Sequence, residues 1–142
     1  MKKTILVAAC VAVATAFPAV PSQAAQAVLV VDDNGAQCPG AQFTSIQAAI
    51  TAASPGRTIR VCAGTYNETV TVDKADLQLV GPAIAPTGTA CRQAGAPDPS
   101  TQAIIQSAGG SGTVRLQENG IRFSRFTVQN NTSSYGLVTS AG

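Results

Sequence analysis

Residues 55–81 read Pro55-Gly56-Arg57-Thr58-Ile59-Arg60-Val61-Cys62-Ala63-Gly64-Thr65-Tyr66-Asn67-Glu68-Thr69-Val70-Thr71-Val72-Asp73-Lys74-Ala75-Asp76-Leu77-Gln78-Leu79-Val80-Gly81. Ile59 and Val61 alternate with Arg60 and Cys62, Val70 and Val72 with Thr69 and Thr71, and Leu77 and Leu79 flank Gln78. A period of two sends successive side chains to opposite faces, so each run is a short strand that buries one face only. The same reading predicts strands over 103–106, 113–116, 121–123 and 126–129, and an earlier one over 28–31. No helical period follows residue 54. A βαβ sheet is therefore excluded, and an all-β sandwich, barrel or coiled solenoid of short strands is left.

Upstream lies one helix. Ile46, Ala49, Ile50 and Ala53 recur at i, i+3, i+4 and i+7, with Thr44 and Gln47 in capping-box spacing and Ser54-Pro55-Gly56 as the stop. Barely three turns long, it needs an apolar surface to lie on. Downstream, Leu77–Gly81 and Ile121–Phe126 look equivalent, and Tyr135-Gly136-Leu137-Val138 looks like the start of the next such strand. The segment 82–100, with four prolines, reads as a loop inserted in one turn of a coil. Asn119-Gly120 and Asn130-Asn131 read as turns, which suits stacked coils as well as hairpins.

The 142 residues suffice for one domain. At 45% hydrophobic and 11% charged, the chain is not a charged disordered tail. Lys2, Lys3, the apolar run 4–16 and Ser22-Gln23-Ala24 have the order of a secretory leader, so 1–24 is read as a signal and 25–142 as the exported chain. Val7-Ala8-Ala9-Cys10 has lipobox form, but the apolar run before it is short and continues beyond it. Without Lys2 and Lys3 the chain carries seven basic and seven acidic residues, which gives no case for nucleic acid as a partner. The leader run is too short for a membrane span, and no other is expected.

Three cysteines remain after the leader: Cys38, Cys62 and Cys91. In an exported, oxidising setting one bridge forms and one thiol is left over. Cys38–Cys62 is the expected bridge, because the segment between them reads as one compact helix-turn-strand unit; two unpaired thiols are the alternative.

The runs Phe43–Ile50, Pro55–Glu68, Val70–Val72 and Leu77–Gly81 together resemble the N-terminal segment of right-handed parallel β-helix proteins, among them the pectinesterase and pectate-lyase-like superfamily and NosD-like periplasmic proteins. Asn119–Asn130 is similar to one of their rungs. The resemblance implies a solenoid whose short helix caps the N-terminal mouth, with Gly64-Thr65-Tyr66 turning a corner and Tyr66 closing the core edge. It also implies further rungs beyond Gly142, so the chain is read as an N-terminal fragment whose open coil end meets missing rungs or another chain. The architecture serves many activities and brings none with it.

The chain has no histidine, which removes Ser-His-Asp and Cys-His catalysis and HExxH zinc chemistry. Glu68, Asp73, Asp76, Asp98 and Glu118 do not read as an acid/base pair, and Asp73-Lys74-Ala75-Asp76 is expected to be a solvated turn. Arg122 and Arg125, three apart in an alternating strand, are expected on opposite faces and so not as one anion clamp. Asp32-Asp33-Asn34-Gly35 lacks EF-hand spacing and reads as a turn; no metal or cofactor is expected. Asn67-Glu68-Thr69 and Asn130-Asn131-Thr132 are sequons. Two classes survive: a secreted protein that binds or processes extracellular polysaccharide, with Thr69, Thr71, Gln78 and Arg122 facing sugar hydroxyls, and a non-enzymatic periplasmic scaffold of the NosD-like kind. No turnover is expected of these 142 residues alone.

Overall fold

One-sided alternation requires a shared interior, and the strands find it by pairing in parallel. The elements run β1 (Leu29–Val31), α1 (Ile46–Ala52), β2 (Thr58–Val61), β3 (Gly64–Asn67), β4 (Val70–Val72), β5 (Gln78–Val80), β6 (Ala103–Ser107), β7 (Val114–Leu116), β8 (Arg122–Ser124), β9 (Phe126–Asn130) and β10 (Leu137–Thr139). The computed structural model describes residues 27–83, 96–107, 112–130 and 136–140. The expected leader, Cys10, Cys91 and most of the second sequon lie outside the described residues. What is described is mostly strand in parallel sheets with one short helix, an all-β architecture.

Three sheets form, ordered β1-β2-β5-β8, β3-β6-β9 and β4-β7-β10. From β2 onward, consecutive strands enter the first, second and third sheet in turn, and that order occurs three times. Parallel pairing puts equivalent residues side by side: Leu29, Ile59, Leu79 and Phe123 form one column, and Tyr66, Ile105 and Val128 another. One hydrophobic core joins inward residues of all three sheets, including Ile59, Leu79, Tyr66, Ile105, Val70, Val72 and Val114. Burying each aliphatic side chain contributes about 1.5–3 kcal/mol.

Several expectations change here. Leu77–Gly81 and Ile121–Phe126 do pair, Leu79 beside Phe123. The strand after Gly136 instead joins β7 in the third sheet, Leu137 beside Val114. Gly64-Thr65-Tyr66 is no corner: it begins β3, and the turn is made by Cys62 and Ala63 before it. Cys62 is consequently buried rather than outward. Asn119-Gly120 makes no hairpin, because β7 and β8 on its two sides belong to different sheets. Asn130 is the last residue of β9, not a turn.

Helix α1 packs against β1, β2 and β4 through Ile46, Ala49 and Ile50, with Ala53 buried just beyond. Its N-cap is Ser45, not Thr44: Ser45 Oγ accepts the Ala48 N–H at 3.3 Å. Gln47 does not return to the cap. Its side chain pairs with the backbone of Thr71, accepting from N–H at 2.7 Å and donating to the carbonyl at 3.2 Å. Docking on β4 offers that amide a better partner than the cap.

Candidate functional site

The first and second sheets meet along a corner built by short connections. Cys62 and Ala63 link β2 to β3, and Arg125 alone links β8 to β9. The Cys62 N–H donates to Val31 O at 2.9 Å, and the Tyr66 hydroxyl donates to Cys62 O at 2.9 Å. A Cys38–Cys62 disulfide, with Cα atoms 6.3 Å apart, fastens the loop after β1 onto the same corner, in the expected pairing. Burial, and then the charges of Asp33 and Asp32, hold the Tyr66 hydroxyl far above the usual tyrosine range, so it stays a donor.

A cleft of about 580 Å³ opens on this corner. Arg60 points outward from β2, and Arg125 leaves the backbone at φ 65, where the chain turns between strands. Both are exposed, both line the cleft, and neither guanidinium has a hydrogen-bond or ion-pair partner among the described residues. Gly81 makes the approach possible, since a Cβ there would overlap the Arg125 carbonyl oxygen. Gln37, Ser100 and Thr101 supply polar groups, Val61, Val80 and Pro82 apolar ones, and no carboxylate is in the lining among the described residues. Asp98 stands behind Ser100 and Thr101, accepting from Ser100 Oγ at 2.7 Å and Thr101 Oγ1 at 3.3 Å. The Ser100 hydroxyl and N–H hold its carboxyl below the usual range. Each hydroxyl oxygen keeps its acceptor capacity for a ligand.

The residues singled out from sequence are dispersed. Arg122 lies in β8 beside Gln78 of β5, both exposed on the first sheet, whereas Thr71 belongs to the third and Thr69 bonds Ser107 at 2.9 Å. They form no common sugar face. Arg125 is not in an alternating strand; it occupies a corner, and its companion is Arg60. Glu68 accepts from the first turn of α1, and Lys74 donates to Ile50 O and Thr51 O at its last turn. Asp76 has φ 59 and packs its carboxylate against Gly120, a supporting contact between turns. In the first sequon Asn67 Oδ1 accepts from Gln106 at 2.6 Å. The Arg60–Arg125 cleft had no local signal, because it depends on register between strands far apart in sequence.

Among the described residues no group of three His, Cys, Asp or Glu side chains converges to hold a metal, and no helix is long and apolar enough to cross a membrane. No family model, curated protein or solved structure matches the chain.

Proposed function

We propose that the chain is an exported right-handed parallel β-helix that binds an acidic extracellular polysaccharide in the Arg60–Arg125 cleft. Three visits to three parallel sheets in a constant order favour the solenoid over a sandwich or barrel, and the strong right-handed preference of parallel crossovers supplies its hand. The observation that carries the binding reading is two exposed guanidiniums beside hydroxyl and amide groups, with no carboxylate in the lining among the described residues. Guanidinium recognises carboxylate by paired, charge-assisted hydrogen bonds. Hydroxyl acceptors on Ser100 and Thr101 suit sugar O–H groups. Binding without turnover is the activity assigned, since Asp73 and Asp76 lie in a turn away from the cleft.

Affinity electrophoresis through polygalacturonate, with neutral dextran as control, tests the reading. The wild-type chain is retarded by the acidic polymer alone, the effect weakens with salt, and Arg60→Ala/Arg125→Ala removes it, each arginine accounting for about tenfold in affinity. Equal retardation by dextran, or none by either polymer, defeats it. Export is tested by mass spectrometry of secreted material: the expected first residue is Ala25, and a retained Met1 or a lipidated Cys10 contradicts it.

A further inference from the structure

The cleft runs across the strands of the first sheet rather than along them. Its lining comes from successive levels: Cys38 from the loop after β1, Arg60 from β2, residues 80–83 from the end of β5, and Arg125 from the turn after β8. Arg60, Val80 and Ser124 stand side by side in register, and Arg125 follows Ser124. The backbones of the two arginines are therefore two strand spacings apart, about 10 Å. The level between them offers Val80, Gly81, Pro82 and Ala83, none with a side-chain donor. Along the cleft the order is cation, apolar gap, cation.

A polyuronate has a matching repeat. In the two-fold form of a 1,4-linked chain each sugar advances by roughly one strand spacing, about 5 Å, and successive carboxylates point to opposite sides. Sugars n and n+2 then present carboxylates on one side at the separation of the two arginines, and that of sugar n+1 points away from the apolar gap. We infer that the cleft selects for charge spacing: an acidic polysaccharide lies across the strands, Arg60 and Arg125 pair with the carboxylates of alternate sugars, and the sugar between them is bound without its charge being read. Guanidinium–carboxylate pairing is directional, so a carboxylate displaced by one sugar forfeits it. Bringing both guanidiniums onto one carboxylate would instead draw like charges together over the apolar gap. The inference rests on the binding reading above and adds three things to it: the direction of the bound chain, a trisaccharide as the shortest ligand that engages both arginines, and tolerance of a neutral or esterified sugar at the middle place.

NMR titration of the full chain with di- and trigalacturonate at low salt tests the spacing. The trimer is expected to bind about tenfold more tightly than the dimer, the value of one added charged pair. A trimer methyl-esterified on its middle carboxylate keeps that advantage, and one esterified at an end loses it. In Arg60→Ala, and likewise in Arg125→Ala, trimer and dimer bind alike, because each finds one guanidinium to meet. Equal affinities of the two oligomers for the wild-type chain overturn the inference, as does a trimer advantage that needs the middle carboxylate or survives either substitution. If a variant does not fold, the wild-type chain decides through the ligand series alone. Retardation by polygalacturonate together with equal oligomer affinities sinks the spacing and leaves the binding reading standing; no binding of polymer or oligomer ends both.

Discussion

Ser45 Oγ donates to Glu68 Oε2 at 2.8 Å, tying the N-cap of α1 to the residue that follows β3. The same carboxylate accepts the N–H groups of Ile46 at 2.8 Å and Gln47 at 3.0 Å. At the other end Lys74 Nζ donates to Ile50 O at 2.8 Å and Thr51 O at 2.6 Å. An anion at the N-terminus and a cation at the C-terminus both match the helix dipole. A helix of seven residues does not persist alone in water, so α1 is held by these clamps and by its buried face.

Glu68→Ala is expected to destabilise the chain by about 2–3 kcal/mol, since it leaves two helix N–H groups and a serine hydroxyl without their charged acceptor. Glu68→Gln retains an acceptor oxygen and is expected to cost about half as much. Urea unfolding measures both. A loss below about 0.5 kcal/mol for the alanine variant, the range of ordinary surface changes, contradicts the clamp.

Gly81→Ala is expected to be far more severe than its one added methyl suggests. The new Cβ would overlap backbone, the Arg125 carbonyl, which cannot rotate away as a side chain does. A loss of about 3 kcal/mol or more, seen as poor soluble yield and a depressed thermal midpoint, is the expected outcome. A soluble variant with an unchanged midpoint would show that β8 and β9 are free to move apart from β5.

Cys38→Ser/Cys62→Ser is expected to lower stability by about 3 kcal/mol, the chain-entropy value for releasing a loop of 24-residue separation. Peptide mapping of the oxidised protein should recover Cys38 linked to Cys62. Recovery of Cys91 linked to either one refutes the pairing.

Alkaline pH probes Tyr66. Its folded pKa is raised from 10.0, mainly by burial and then by Asp33 and Asp32, so the folded state holds the phenolic proton that the unfolded chain gives up. Stability is therefore complete below about pH 10 and falls as pH rises past it. Tyr66→Phe loses about 1 kcal/mol at neutral pH with the Cys62 hydrogen bond, yet shows a shallower decline above pH 10. Melting midpoints from pH 8 to 11 compare the two; parallel curves would mean that Tyr66 ionises freely in the fold.

What the sequence alone determined was local and periodic. Ile59/Val61, Val70/Val72 and Leu77/Leu79 announce strands because the pleat repeats every two residues, and Ile46, Ala49, Ile50 and Ala53 announce a helix face because side chains three and four apart are neighbours. The Cys38–Cys62 bridge was legible too, since both cysteines belong to one short unit. Tertiary structure decided the rest. Gly64–Asn67 carries turn-forming residues at both ends and became a strand only because β6 lies alongside it. Ser45 displaced Thr44 as the cap because Glu68, 23 residues away, was folded onto it. Asp32 and Asp33 look like a solvated turn until Cys38 is fastened to Cys62 over them. Arg60 and Arg125 share a cleft because β2, β5 and β8 align in register. A periodic pattern states which face of a segment is apolar, but not which distant segment lies beside it. Those neighbours are selected by burial of the common core, a property of the whole chain.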